Sequence, residues 1–108
     1  MTLAELNTVL RTTNLPVAYV AFADTEASPA PSMPFITYES IGSVNFIADG
    51  IVYHPVDEVE VSLFSKIKDI TNETNIESAL TMAGLFWQKE SSFDEDESCF
   101  ITTYTIEI

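Results

Sequence analysis

The apolar positions of this chain change period several times, and each change marks an element. Leu3, Leu6, Val9 and Leu10 recur at helical spacing. Thr2, followed three residues later by Glu5, makes a capping box, in which each side chain bonds a free backbone N–H of the other's turn. A short amphipathic helix is therefore predicted over residues 2–13, with Asn14 taking the left-handed stop and Pro16 barring continuation. Residues 17–23 (VAYVAFA) hold β-branched and aromatic side chains and no breaker, which predicts a strand buried on at least one face. Residues 24–34 carry three prolines and no periodicity. They read as an exposed arm, stiffened toward polyproline II and unable to join a central ladder.

Residues 35–41 predict a second strand. Asp49-Gly50, set between 44–48 and 51–53, is a hairpin signal, because this pair suits the positive φ angles of a tight primed turn. The strand is expected to run on through Phe64, with Ile51, Tyr53, Val59, Val61 and Leu63 on an oily face and Val52, His54, Glu58, Glu60 and Ser62 on a mostly wet one. Pro55 interrupts this run and implies an edge or a bulge. A link over 66–71 leads to a second helix of about three turns, capped by Thr71 or Asn72, striped by Ile76, Ala79, Leu80 and Ala83, and stopped by Gly84. Residues 85–91 and 99–108 form a final strand pair joined through 92–98, with Phe100, Tyr104, Ile106 and Ile108 on one face. Helices that do not alternate regularly with strands give an α+β class: a largely antiparallel sheet with two short helices packed on one face, in a single domain over 1–108.

Composition sharpens this picture. A chain of 108 residues with 46% hydrophobic and 11% aromatic residues is too apolar for a disordered acidic tail. Arg11, Lys66, Lys68 and Lys89 are the only cations beside 17 carboxylates, a formal charge of −13. Unaided nucleic-acid binding is disfavoured, since its affinity comes from Lys and Arg that neutralise phosphates, and an anionic membrane surface is disfavoured for the same reason. The lone Cys99 makes no internal disulfide and no thiolate-only metal cage. The opening Met1-Thr2-Leu3-Ala4-Glu5 lacks the basic and apolar regions of a signal peptide, so the cytoplasm, or a particle assembled there, is the expected compartment.

Candidate chemistry is sparse. His54 and Cys99 are the residue types of a thiolate–imidazole nucleophile, but both fall in predicted strands with no orienting group or glycine-rich oxyanion loop beside them. No phosphate-binding glycine motif occurs. The run Asp94, Glu95, Asp96, Glu97 lacks the turn glycine and distant glutamate of a calcium loop and reads as a solvated turn between the last strands. Asn72-Glu73-Thr74 matches a glycosylation triplet but serves more simply as a helix cap. Leu85-Phe86-Trp87 and Phe46-Ile47 are expected in the core.

Taken in order, a series of short segments carries a resemblance that spans almost the whole chain. They are Leu15-Pro16-Val17-Ala18-Tyr19, Pro34-Phe35-Ile36-Thr37-Tyr38, and Asn45-Phe46-Ile47-Ala48-Asp49-Gly50-Ile51-Val52-Tyr53-His54. Val59-Glu60-Val61-Ser62-Leu63-Phe64-Ser65-Lys66, then Ile76-Glu77-Ser78-Ala79-Leu80 with Gly84 after it, and the closing Tyr104-Thr105-Ile106-Glu107-Ile108 complete the series. With them the chain resembles the small tail-terminator or tail-completion proteins of long-tailed phages and prophages of Gram-positive bacteria. The resemblance implies a structural virion protein, not an enzyme, with no cofactor. Identical copies, commonly six, would close into a ring on the tail tube protein and join it to the head-side connector protein. The implied location is the head–tail junction, after assembly in the host cytoplasm, with no membrane involved. DNA would pass through without specific binding, since a channel lined by carboxylates repels phosphates. The segments least needed by the core supply the contact or channel candidates: Ser28, Pro29, Pro31 and Met33 in the arm, and Asp94, Glu95, Asp96 and Glu97 in the acidic turn. Two other readings stand beside this one, another minor head–tail connector and an acidic DNA mimic that inhibits a nucleic-acid-binding protein.

Overall fold

The computed structural model describes residues 1–43, 46–48, 51–54 and 56–108, with side chains described outside 44–55. The elements in order are α1 (Leu3–Arg11), β1 (Val17–Tyr19), β2 (Phe35–Ser43), β3 (Phe46–Ala48), β4 (Ile51–His54), β5 (Asp57–Ser65), α2 (Ile70–Met82), β6 (Trp87–Asp94) and β7 (Cys99–Glu107). Five strands form one sheet in the order β1-β2-β5-β7-β6, and β3 and β4 pair separately. β1 runs parallel to β2, and every other neighbouring pair in the sheet is antiparallel. This is the α+β architecture the sequence predicts.

The capping box holds α1 at its start: Glu5 N donates to Thr2 Oγ1 at 3.1 Å and Thr2 N to Glu5 Oε1 at 3.3 Å. Asn14 stops α1 at φ 65° and Gly84 follows α2 at φ 79°, both as expected. Leu6 and Leu10 of α1 and Ile76 and Leu80 of α2 bury against Ile36, Tyr38, Val59, Val61, Leu63, Tyr104 and Ile106 of the sheet. Alternation along β5 is strict: Val59, Val61 and Leu63 are wholly buried, while Glu58, Glu60 and Ser62 face away from the helices. Both helices therefore cover one face and leave the other open.

Several boundaries differ from the sequence expectation. The strand expected over 17–23 ends at Tyr19, because Val20 turns to φ 66° and its N–H donates to Tyr38 O. The arm that follows is not extended. Thr25 N donates to Ser28 O at 3.1 Å and Ala30 N to Asp24 Oδ1 at 3.2 Å, which folds the loop back on itself. Phe22 also anchors it edge-on against Phe35, with ring centroids 5.1 Å apart. The expected run from 51 through Phe64 is two strands in different sheets, β4 ending at His54 and β5 beginning at Asp57. β3 and β4 do pair antiparallel, Ala48 opposite Ile51, while the Asp49-Gly50 turn and Pro55 lie outside the described residues. α2 begins earlier than Thr71 or Asn72 would place it. Asp69 is the cap, accepting from Asn72 N at 3.1 Å. β6 runs on to Asp94, so the final connection is shorter than 92–98.

Candidate interaction surface

The earlier start of α2 puts Glu73 on the helix face that also carries Ile76 and Leu80, and its side chain is 2% exposed. Lys68 Nζ lies 2.9 Å from Glu73 Oε2 and Lys89 Nζ 2.7 Å from Oε1. Lys89 also bonds Glu77 Oε2 at 3.0 Å, and that same oxygen accepts from Tyr104 Oη at 2.7 Å. Burial pushes the Glu73 carboxyl up, but the hydrogen bonding and positive charge of Lys89 and Lys68 more than offset it, so it sits below the ordinary carboxylate range. Hydrogen bonding to Glu73 and Glu77 raises Lys89. Burial, then the Glu77 carboxylate, pushes the Tyr104 phenol up. Every partner favours one fixed protonation state, so the cluster clips α2 to β6 and β7. The spacing of Glu73 from Ile76 and Leu80, three and seven residues, is the helical period that marks a buried position, a signal that its charge masks in the sequence.

The clip also absorbs most of the positive charge. Lys68 and Lys89 belong to it, and Arg11 donates to Asn7 Oδ1 and to Val17 O. Lys66 alone of the four cations has no hydrogen bond or ion pair among the described residues.

On the open face, Glu39 of β2 stands directly opposite Glu60 of β5, and Glu58 of β5 opposite Glu107 of β7. Glu90 of β6 shares this face, opposite Thr103. Like charges placed directly across a ladder repel, so this surface costs the isolated domain stability. Toward one end the same face turns apolar, where Phe35 stacks on Phe64 at 5.2 Å under Phe22.

The predicted contact residues fall into two groups. Ser28, Pro29 and their neighbours are exposed in the folded loop before β2, with Pro31 and Met33 half-buried. Asp94, Glu95, Asp96 and Glu97 form the turn from β6 to β7, where Asp94 Oδ1 accepts from Asp96 N at 3.0 Å and Glu97 N at 3.3 Å. Phe35, Phe64, Ile101 and Ser92 lie on one level of the sheet, so loop and turn occupy the same end, with β5 between β2 and the β6–β7 pair. Cys99 is buried beside that turn. Burial, then Asp94 and Glu97, pushes its thiol up, away from nucleophilic character. The His54 side chain lies outside the described residues.

The expectation that Leu85-Phe86-Trp87 is core needs correction at its centre. Leu85, just before β6, and Trp87, its first residue, turn inward, Trp87 edge-on to Tyr104 at 5.6 Å and donating to Thr81 Oγ1 at 3.0 Å. Phe86 between them is 95% exposed, and nearby Met82, the last residue of α2, is 88% exposed. An aromatic ring left in water just before a strand is the chemistry of a docking surface.

No protein-family model matches the chain, and no characterised protein matches it.

Proposed function

We propose that this chain is a structural phage or prophage protein, a tail terminator or tail-completion protein that self-associates on the tail tube and links it to the head-side connector. The observation that carries this reading is an exposed surface that combines protruding apolar side chains at Met82 and Phe86 with an open sheet face bearing Glu39, Glu58, Glu60, Glu90 and Glu107, of which Glu58 and Glu107 line the same cavity as Phe86. The first suits protein docking, and the second suits a lumen past which DNA slides without sticking. The succession of segments described above supports the same reading. The carboxylate face also favours a second reading, a DNA mimic that occupies a basic protein.

Mixing the purified chain with isolated tail tubes and with connectors tests the two together. Capped tube ends and recovery of head-joining activity are expected. Failure to bind either component, with tight capture by a basic DNA-binding protein, would replace assembly by mimicry.

A further inference from the structure

Asp57 and Ile108 exchange both of their backbone hydrogen bonds, at 3.1 Å and 2.9 Å, where β5 meets the end of β7. The next facing pair, Glu58 and Glu107, is therefore a non-hydrogen-bonded one, in which Cα atoms approach to about 4.5 Å and side chains leave the sheet close together. Both carboxylates line a cleft of about 470 Å³, with Gly84, Phe86, Trp87 and Thr105 among its walls. The Phe86 side chain stands almost wholly in water. No cation of this chain neutralises the pair. Lys68 and Lys89 are bound to Glu73, Arg11 to Asn7 and Val17, and Lys66 lies beyond the opposite end of β5. Neither Glu58 nor Glu107 has a hydrogen bond or ion pair among the described residues.

We infer that this cleft receives an arginine side chain presented by a partner protein, its guanidinium shared between Glu58 and Glu107 and lying against Phe86. This rests on the reading of the Phe86 surface as a docking site and names the chemistry of its occupant. Two carboxylates held close together match a planar fork of five N–H donors, whereas the ammonium of a lysine is a compact point charge. An aromatic ring beside them attracts a cation to its face and stacks with a guanidinium. A divalent metal ion fits less well. It takes about six oxygen ligands, and no group of three or more His, Cys, Asp or Glu that could hold one occurs among the described residues. Nucleic acid is turned away, because the same carboxylates repel phosphate. A second copy does not supply the group either: Arg11 is the only arginine in the sequence, and its guanidinium is bonded within its own fold. The partner is therefore a different protein. Its arginine also relieves the repulsion that the ladder imposes on the facing glutamates of the free domain. One ion pair that keeps water access is weak, so the contact sets the register of a larger interface and does not hold it alone.

Titration of the natural chain with acetyl-Ala-Arg-Ala-amide, followed by NMR amide shifts, tests the cleft. Saturable shifts are expected at Phe86, Trp87, Thr105 and Glu107. The same peptide with citrulline, which keeps the shape and lacks the charge, should give none, and the lysine peptide should bind more weakly. Glu58→Gln and Glu107→Gln should each weaken the arginine peptide roughly fivefold, the upper range for an ion pair that keeps water access. Phe86→Ala should weaken it about threefold, the loss of a cation–π contact at an exposed site. These changes remove a repelled charge or an exposed ring, so circular dichroism should show every variant folded. Glu26→Gln takes the same unit of charge from the exposed loop before β2 and should leave binding unchanged, which separates the cleft from general attraction to an acidic chain. No saturable shifts at the cleft, equal binding of the citrulline or lysine peptide, or equal effects of Glu26→Gln and Glu107→Gln would overturn the arginine site. Such a result leaves the assembly reading standing where the natural chain still caps tail tubes. Arginine binding at the cleft without capture of tube or connector would remove the assembly reading and keep the site.

Discussion

Val20 is held at φ 66°, where an L residue costs about 1–2 kcal/mol and a β-branched one is rarer still. It is also half exposed, so its own fold recovers little from the side chain. Val20→Gly should therefore raise the monomer's stability by about 0.5–1 kcal/mol, after the extra chain entropy of glycine, as read from the urea midpoint. Glu73 is the opposite case, a residue whose value lies wholly inside the monomer. Glu73→Gln leaves Lys68 and Lys89 without their shared carboxylate and should cost about 2 kcal/mol, less than a wholly enclosed pair because both lysines keep water access. Its folded-state carboxyl is depressed below the ordinary 4.5. The stability it contributes is therefore present above pH 4.5 and lost as pH falls through the lower folded value. The urea midpoints of natural chain and Glu73→Gln should converge in that acid range, and a gap that stayed constant with pH would remove the ion pair as its cause. Neither residue announces itself locally. A β-branched run reads as continuous strand until tertiary contacts bend it, and a glutamate reads as wet unless its helical period is weighed against its charge.

At the level of elements, the punctuation was the legible part. Thr2 with Glu5, Asn14 and Gly84 each act through their own backbone, so their roles survive any tertiary context. The period-2 pattern of β5 was equally plain, since Val59, Val61 and Leu63 make one face apolar through its middle. What the pattern hid was partnership. Alternation continues across Pro55 as if β4 and β5 were one strand, and nothing in a single string says that the two pair in different sheets. The Phe86 surface was hidden similarly, because Leu85-Phe86-Trp87 is apolar throughout and only the pairing of Trp87 with Ile106, where β6 begins, shows which ring turns inward. That register also sets Glu39 against Glu60, a juxtaposition invisible until strands are paired. Glu60→Lys converts a directly opposed repulsive pair into an attractive one and should stabilise the monomer by about 0.5–1 kcal/mol. In the ring reading it also places a cation on the face meant to repel phosphate. DNA should then be retarded on a column of the variant and pass freely through one of the natural chain, and equal passage would take that face out of the channel.

For the whole molecule, charge and apolar contact oppose each other, and salt separates them. Each copy brings a charge of −13, with three of its four cations engaged in internal bonds, so copies repel at long range whatever their edges do. The apolar side chains that protrude are uncharged and lose nothing to screening. Raising ionic strength from about 0.01 M to 0.15 M shortens the Debye length from about 30 Å to about 8 Å, well below the 51 Å long axis of the molecule. Repulsion between neighbours is then confined to the few charged groups nearest the contact, Glu58 and Glu107 beside Phe86 among them. Self-association should accordingly strengthen with sodium chloride, and the monomer's own melting temperature should rise with it as the Glu39–Glu60 and Glu58–Glu107 pairs are screened. A domain that acts by mimicking DNA predicts the reverse for its main interaction, since binding of carboxylates to a basic partner weakens as salt rises. Sedimentation of the chain alone and of the chain with its captured partner, across one salt series, therefore gives slopes of opposite sign for the two readings. A self-association that weakened with salt would mean that ionic contacts, not apolar ones, hold the copies together.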